Sequence, residues 1–118
     1  MPLADNNKLY TEELVKLARK SLKAIGWQSL TVDATSGGVS LTIPSGAIYA
    51  FMVVESSATG TAIRYLECGN SVQAVSTTVG IPRSNLDVFD VQGSENLINF
   101  RAIQAQAGTH TLSIQYYK

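Results

Sequence analysis

The sequence predicts a mainly β fold, an antiparallel β-sandwich or jelly-roll-like domain with an N-terminal amphipathic α-helix. Three observations predict it. Residues after Trp27 alternate apolar and polar side chains with period two and are rich in β-branched types. Turn-forming residues interrupt them roughly every eight to twelve positions. Before Trp27 the apolar residues recur instead at three- and four-residue steps.

The leading helix starts at Thr11, an N-cap residue, with Glu12 and Glu13 in the first turn, where the helix dipole favours anions. Lys16, Arg19, Lys20 and Lys23 fall toward the other end. Leu14, Leu17, Ala18, Leu22 and Ile25 make one apolar stripe, and Gly26 stops the helix. A lone helix of that length is marginal in water. Its stripe therefore needs a surface, on its own body or on a neighbouring subunit. These five residues and Trp27 are the candidate assembly interface, with Trp27 as the anchor seating the helix. The sequence divides into a helical arm, residues 1–27, and a sandwich domain, residues 28–118.

Strands are expected over Ser29–Ala34, Val39–Ile43, Ile48–Glu55, Thr61–Cys68, Val72–Ser76, Asn85–Val91, Leu97–Ala102 and Thr109–Tyr117. Glycine-, proline- and serine-bearing breaks separate them, Gly80–Ser84 among them. The last strand is the clearest: Leu112, Ile114 and Tyr116 share one face, Thr111, Ser113, Gln115 and Tyr117 the other.

The 118 residues make one domain, 45% hydrophobic and only 15% charged. A soluble domain ordinarily carries about a quarter charged residues. A lightly charged surface suits protein contact, since fewer ions need desolvating. Net charge is zero, which removes the simplest electrostatic case for nucleic acid or an anionic membrane as partner. The arm carries +2 and the body −2, counted from the Lys, Arg, Asp and Glu of each. No stretch reads as a secretory leader or a membrane span, so folding in a reducing cytosol is expected.

Catalytic patterns are absent from the sequence: it contains no nucleophile elbow, zinc-protease motif, phosphate loop or dinucleotide fingerprint. His110, the single histidine, reads as an exposed or edge side chain. Cys68, the single cysteine, reads as a buried structural thiol. Asp87 and Asp90 stand on opposite faces of an extended chain. Asp87 with Glu95 or Glu67 makes a weak calcium alternative without a recognisable ligand loop. No cofactor is expected. Trp27 with Gln28, and Tyr49, Tyr65, Tyr116 and Tyr117, leave sugar binding open as a second reading.

The run Tyr49–Glu55, then Ala62-Ile63-Arg64-Tyr65, Gly80-Ile81-Pro82, Leu97–Ile103 and Thr111–Tyr117 resembles a family of small β-sandwich virion structural proteins of tailed bacteriophages. The resemblance covers about 70 residues of the body, and the N-terminal extension departs from it. It implies a head decoration (cement) protein, or otherwise a head-fibre or tail-associated one. The expected partners are the major capsid protein or another virion protein and further copies of the chain, a trimer foremost, in a virion made in the bacterial cytoplasm. The alternative is a glycan- or receptor-binding module of a fibre or tail.

Overall fold

The computed structural model describes residues 22–118. The stripe residues Leu14, Leu17 and Ala18, and most of the expected helix, lie outside them. Seven strands and one short helix follow in order: β1 Ala24–Thr31, β2 Tyr49–Ser56, β3 Thr61–Leu66, β4 Ile81–Ser84, β5 Val88–Gln92, α1 Ser94–Ile98, β6 Arg101–Gln104 and β7 His110–Tyr117. They build two antiparallel sheets, ordered β1-β7-β2-β5 and β4-β3-β6.

The core lies between these sheets, where the period-two alternation sends every second side chain. Ala50, Met52 and Val54 of β2 meet Leu112, Ile114 and Tyr116 of β7, all fully buried. From the other sheet come Ala62, Ile63, Tyr65 and Ala102. Tyr65 stacks on Phe89 with centroids 4.3 Å apart, and on Phe100 at 5.6 Å. Arg83 of β4 lies over the rings of Tyr65 and Phe89, 5.7 and 5.4 Å from their centroids.

Several expected elements are corrected, each for a local reason. The helix does not run to Gly26, because Ala24 to Thr31 form a strand paired with β7. Gly26 is no helix stop there; an added Cβ would meet the Pro44 ring at 2.9 Å. Ile25 sits at a register shift and packs on the core. The sheet therefore starts inside the segment assigned to the arm.

Val39–Ile43 keeps its inward side chains, Val39, Leu41 and Ile43, against the core. It makes only one ladder contact, Val39 with Ala102. The Thr42 N–H is taken by Gln28 Oε1 at 3.1 Å, and Pro44 has no donor to give. Val72–Ser76 reduces to a bridge of Val75 with Gly37, as the Ser76 hydroxyl accepts from the N–H groups of Thr78 and Val79 and turns the chain.

The break Gly80–Ser84 instead contains β4, whose Pro82 is harmless on an edge strand. Leu97–Ala102 opens as helix. Leu97 and Phe100 are both buried and Ile98 is 53% exposed, a three-residue spacing that no extended chain delivers to one face.

Two core predictions follow from this packing. Phe100→Ala empties a fully buried site and costs about 3–5 kcal/mol, read as a lower urea midpoint at unchanged slope. The Tyr116 hydroxyl donates to Gln28 Oε1 at 2.6 Å. Burial disfavours its phenolate and pushes the pKa up to about 12 from 10.0. The folded chain thus holds a proton that the unfolded chain has already released. That stability is intact below pH 10 and is lost as pH rises from 10 toward 12. Tyr116→Phe forfeits about 1 kcal/mol at neutral pH for the hydrogen bond. It should also flatten the alkaline decline measured by denaturant titration between pH 10 and 12.

Candidate functional site

Because β2 and β7 bury one face each, their other faces point away from the core, and register lines them up with β1 and β5. Trp27 lies across from Gln115, which lies across from Phe51, which lies across from Asp90. The next row is Ser29, Ser113, Val53 and Val88, and the row on the other side holds Tyr117, Tyr49 and Gln92. Trp27 is 66% exposed and Val88 52%, while Phe51, Val53 and Tyr117 are half-buried. The result is an apolar, partly aromatic patch across the outer face of the four-stranded sheet. Exposed apolar patches of this contiguity mark contact surfaces.

Its polar groups are Gln115 and Ser113 within the face and Asp90, Gln92 and Glu55 at the margins. The Tyr49 hydroxyl donates to Asp90 Oδ2 at 2.9 Å, and Gln92 Nε2 donates to the same oxygen at 3.3 Å. The Tyr49 and Tyr117 rings meet edge to face, 5.5 Å apart. Gln115 Nε2 donates to the Gly26 carbonyl at 2.7 Å, fixing the side chain between Trp27 and Phe51. Glu55 accepts from the Ser113 hydroxyl near the β7 start. The outward positions of the four strands carry Asp90 and Glu55 and no basic side chain. Lys23 and Lys118, joined through their backbones, lie just past the Tyr117 end. Burial, and then the charge of Asp90, raise the Glu67 carboxyl above its ordinary pKa, so negative potential gathers on the Asp90 side.

Of the residues singled out from sequence, Trp27, Tyr49, Tyr117 and Asp90 are on this face; Trp27 is exposed, and most of the helix it is expected to seat lies outside the described residues. Ile25 belongs to the core margin, and Leu22 is half-buried ahead of β1. Phe51, Val53 and Val88 went unassigned. The legible signal was in β2, where Tyr49-Phe51-Val53 and Ala50-Met52-Val54 are both apolar sets. An antiparallel strand with one solvated face shows apolar residues on one set alone.

His110 is buried, not exposed, at 1%. Its Nε2 donates 2.7 Å to the Gln106 carbonyl, so Nδ1 accepts from the Ser56 hydroxyl, also at 2.7 Å. Both ring nitrogens are thereby used in tying the β2–β3 connection to the β6–β7 connection. Gln106 Nε2 adds bonds to the Thr59 and Thr61 carbonyls. Asp87 accepts from the Ser84 N–H. Among the described residues no three His, Cys, Asp or Glu side chains gather as a metal site, and no helix is long and apolar enough to cross a membrane. A shallow pocket of about 340 Å³ between Ile43, Pro44, Ala47, Ile48 and Ile98 has no titratable lining.

Cys68 is half-exposed rather than buried. The N–H groups of Asn70 and Ser71, with a smaller contribution from Gln73, favour its thiolate and lower its pKa. Iodoacetamide alkylation of the folded chain should therefore have its pH midpoint below that of the same chain in guanidinium; an equal or higher midpoint contradicts this environment.

The fold and face define a two-sheet antiparallel β domain with an exposed, partly apolar outer sheet face. No family model, curated protein or solved structure matches the chain.

Proposed function

We propose that this chain is a non-catalytic assembly module of a tailed-phage virion, a capsid decoration (cement) protein acting through protein contacts. The observation that carries this reading is Trp27, two-thirds exposed on an edge strand of a face that also presents Phe51, Val53 and Val88. A solvated indole on the same outer face as Phe51, Val53 and Val88 leaves water against apolar area that a partner would cover at about 25 cal/mol per Å². Tryptophan is also among the side chains whose loss from a contact costs most. The family resemblance of the strand motifs points the same way. A trimer around a symmetry axis would present three such faces to a shell.

A jelly-roll topology is part of the proposal. The Val39–Ala102 bridge puts the residue 39–43 segment beside β6. The second sheet then reads residues 39–43, β6, β3, β4 against β1, β7, β2, β5. Four strands facing four in this order is the double-sheet arrangement shared by viral coat and lectin domains.

A second reading, a glycan- or receptor-binding module, draws on a different feature of the same face. The Trp27 and Tyr117 rings stand among the fixed polar groups of Gln115, Gln92 and Asp90, the combination a sugar plane requires.

Co-sedimentation with undecorated capsids tests the first reading. The chain should pellet saturably with the shells, and Trp27→Glu should weaken this at least tenfold, about 1.4 kcal/mol. Its circular dichroism should stay unchanged, because the site is exposed. A chain that leaves shells bare but binds a glycan array through Trp27 moves the assignment to the second reading.

A further inference from the structure

We infer that the outer face of the β1-β7-β2-β5 sheet is the receptor for residues 11–22 of a second copy of this chain. The inference deepens the assembly reading and rests on it. The two surfaces are complementary in kind. Residues 11–22 present Leu14, Leu17, Ala18 and Leu22 at helical spacing, with Glu12 and Glu13 at the start and Lys16, Arg19 and Lys20 after them, a net +1 from three cations and two carboxylates. The face presents Trp27, Phe51, Val53 and Val88, bordered by Asp90 and Glu55, with no basic side chain at its outward positions. Apolar stripe meets apolar patch, and cations meet carboxylates at the rim.

Size agrees as well. Twelve helical residues span about 18 Å at 1.5 Å each, and four strands at about 4.8 Å spacing make a sheet roughly 14–15 Å across. One such helix therefore crosses the whole face from β1 to β5.

The path of the chain favours a second copy over the same one. Lys23 and Lys118 exchange both backbone hydrogen bonds, 2.8 and 2.9 Å, carrying the β1–β7 pairing past its last strand residue. The chain therefore leaves along the strand direction, off the end of the sheet marked by Tyr117. Doubling back over its own face would need a reversal within Arg19-Lys20-Ser21-Leu22. Of the residues that favour turns that stretch holds only Ser21, and Leu22 is itself part of the stripe. A neighbouring face is reached without reversal. Lys23 and Lys118, beyond the end of the face, also favour an incoming basic segment crossing toward Asp90 rather than lying at its own exit.

Trp27 is the chain's single tryptophan, so its emission reads the proposed receptor directly. The test uses full-length chains. An arm variant, L14D/L17D, keeps its face and its tryptophan. A face variant, W27E/V88E, keeps its arm and is dark. The native chain should self-associate, with Trp27 emission shifting blue as concentration rises, while each variant alone associates at least tenfold more weakly. Titrating the dark face variant into the arm variant should restore the blue shift, because one intact arm meets one intact face. Raising NaCl to 0.5 M should weaken that complementation several-fold as the ion pairs are screened.

Emission of the native chain that is blue at every concentration means its own segment covers the face, and overturns the inference. So does absence of a shift on mixing, or a shift produced by an oligosaccharide and not by the face variant. Self-association that survives L14D/L17D overturns the arm's role while leaving the assembly reading standing. That reading fails separately, if the native chain neither self-associates nor sediments with capsids.

Discussion

The pairing of β2 with β7 is the constraint from which both the core and the contact face descend. These are the two inner strands of the four-stranded sheet, so neither can shift register without breaking ladders on both sides. A slip of one residue would turn Met52, Val54, Leu112 and Ile114 out to solvent and bring Gln115 and Ser113 into the core. Holding the inner set buried necessarily holds Phe51, Val53 and Tyr117 outward. The apolar outer face is therefore as tightly specified as the core itself.

A second constraint closes the end where the chain passes between the sheets. Both β2–β3 and β6–β7 connections cross there, and crossing segments leave backbone groups unpaired by either ladder. The buried imidazole of His110, the Ser56 hydroxyl and the Gln106 side chain meet that demand with short bonds. The only histidine is spent on architecture, which is why it offers no free nitrogen for chemistry. The same end excludes bulk at Gly108, where an added Cβ would lie 2.9 Å from Ser57 Oγ and where φ is +142°. Rigidity at this end leaves the sheet surfaces free to carry contacts.

The face and the leading segment divide the molecule's charge between them. A chain with zero net charge has little long-range steering toward anything. Its cations cluster ahead of β1 while Asp90, Glu55 and Glu67 lie on the body. Attraction of that kind acts at short range; in the proposed assembly, complementarity of sign would set orientation while burial of Trp27 would supply most of the affinity.

Much of this was legible in the residues alone. Alternation in Thr111–Tyr117 determined strand type and which side chains enter the core, because a period of two admits one inward set, whereas in Tyr49–Glu55 both sets are apolar and only the tertiary structure chose between them. Composition and the single cysteine determined that the fold stands on packing alone, without disulfides. The tertiary structure alone decided which segments became strands where backbone donors were claimed elsewhere, as at Thr42 and Ser76. It also decided that Gly26 answers to Pro44 rather than to a helix end. The same holds for the face: Trp27, Phe51 and Val88 are distant in sequence and come onto one sheet face only through register, a property of hydrogen bonds between strands that no local pattern encodes.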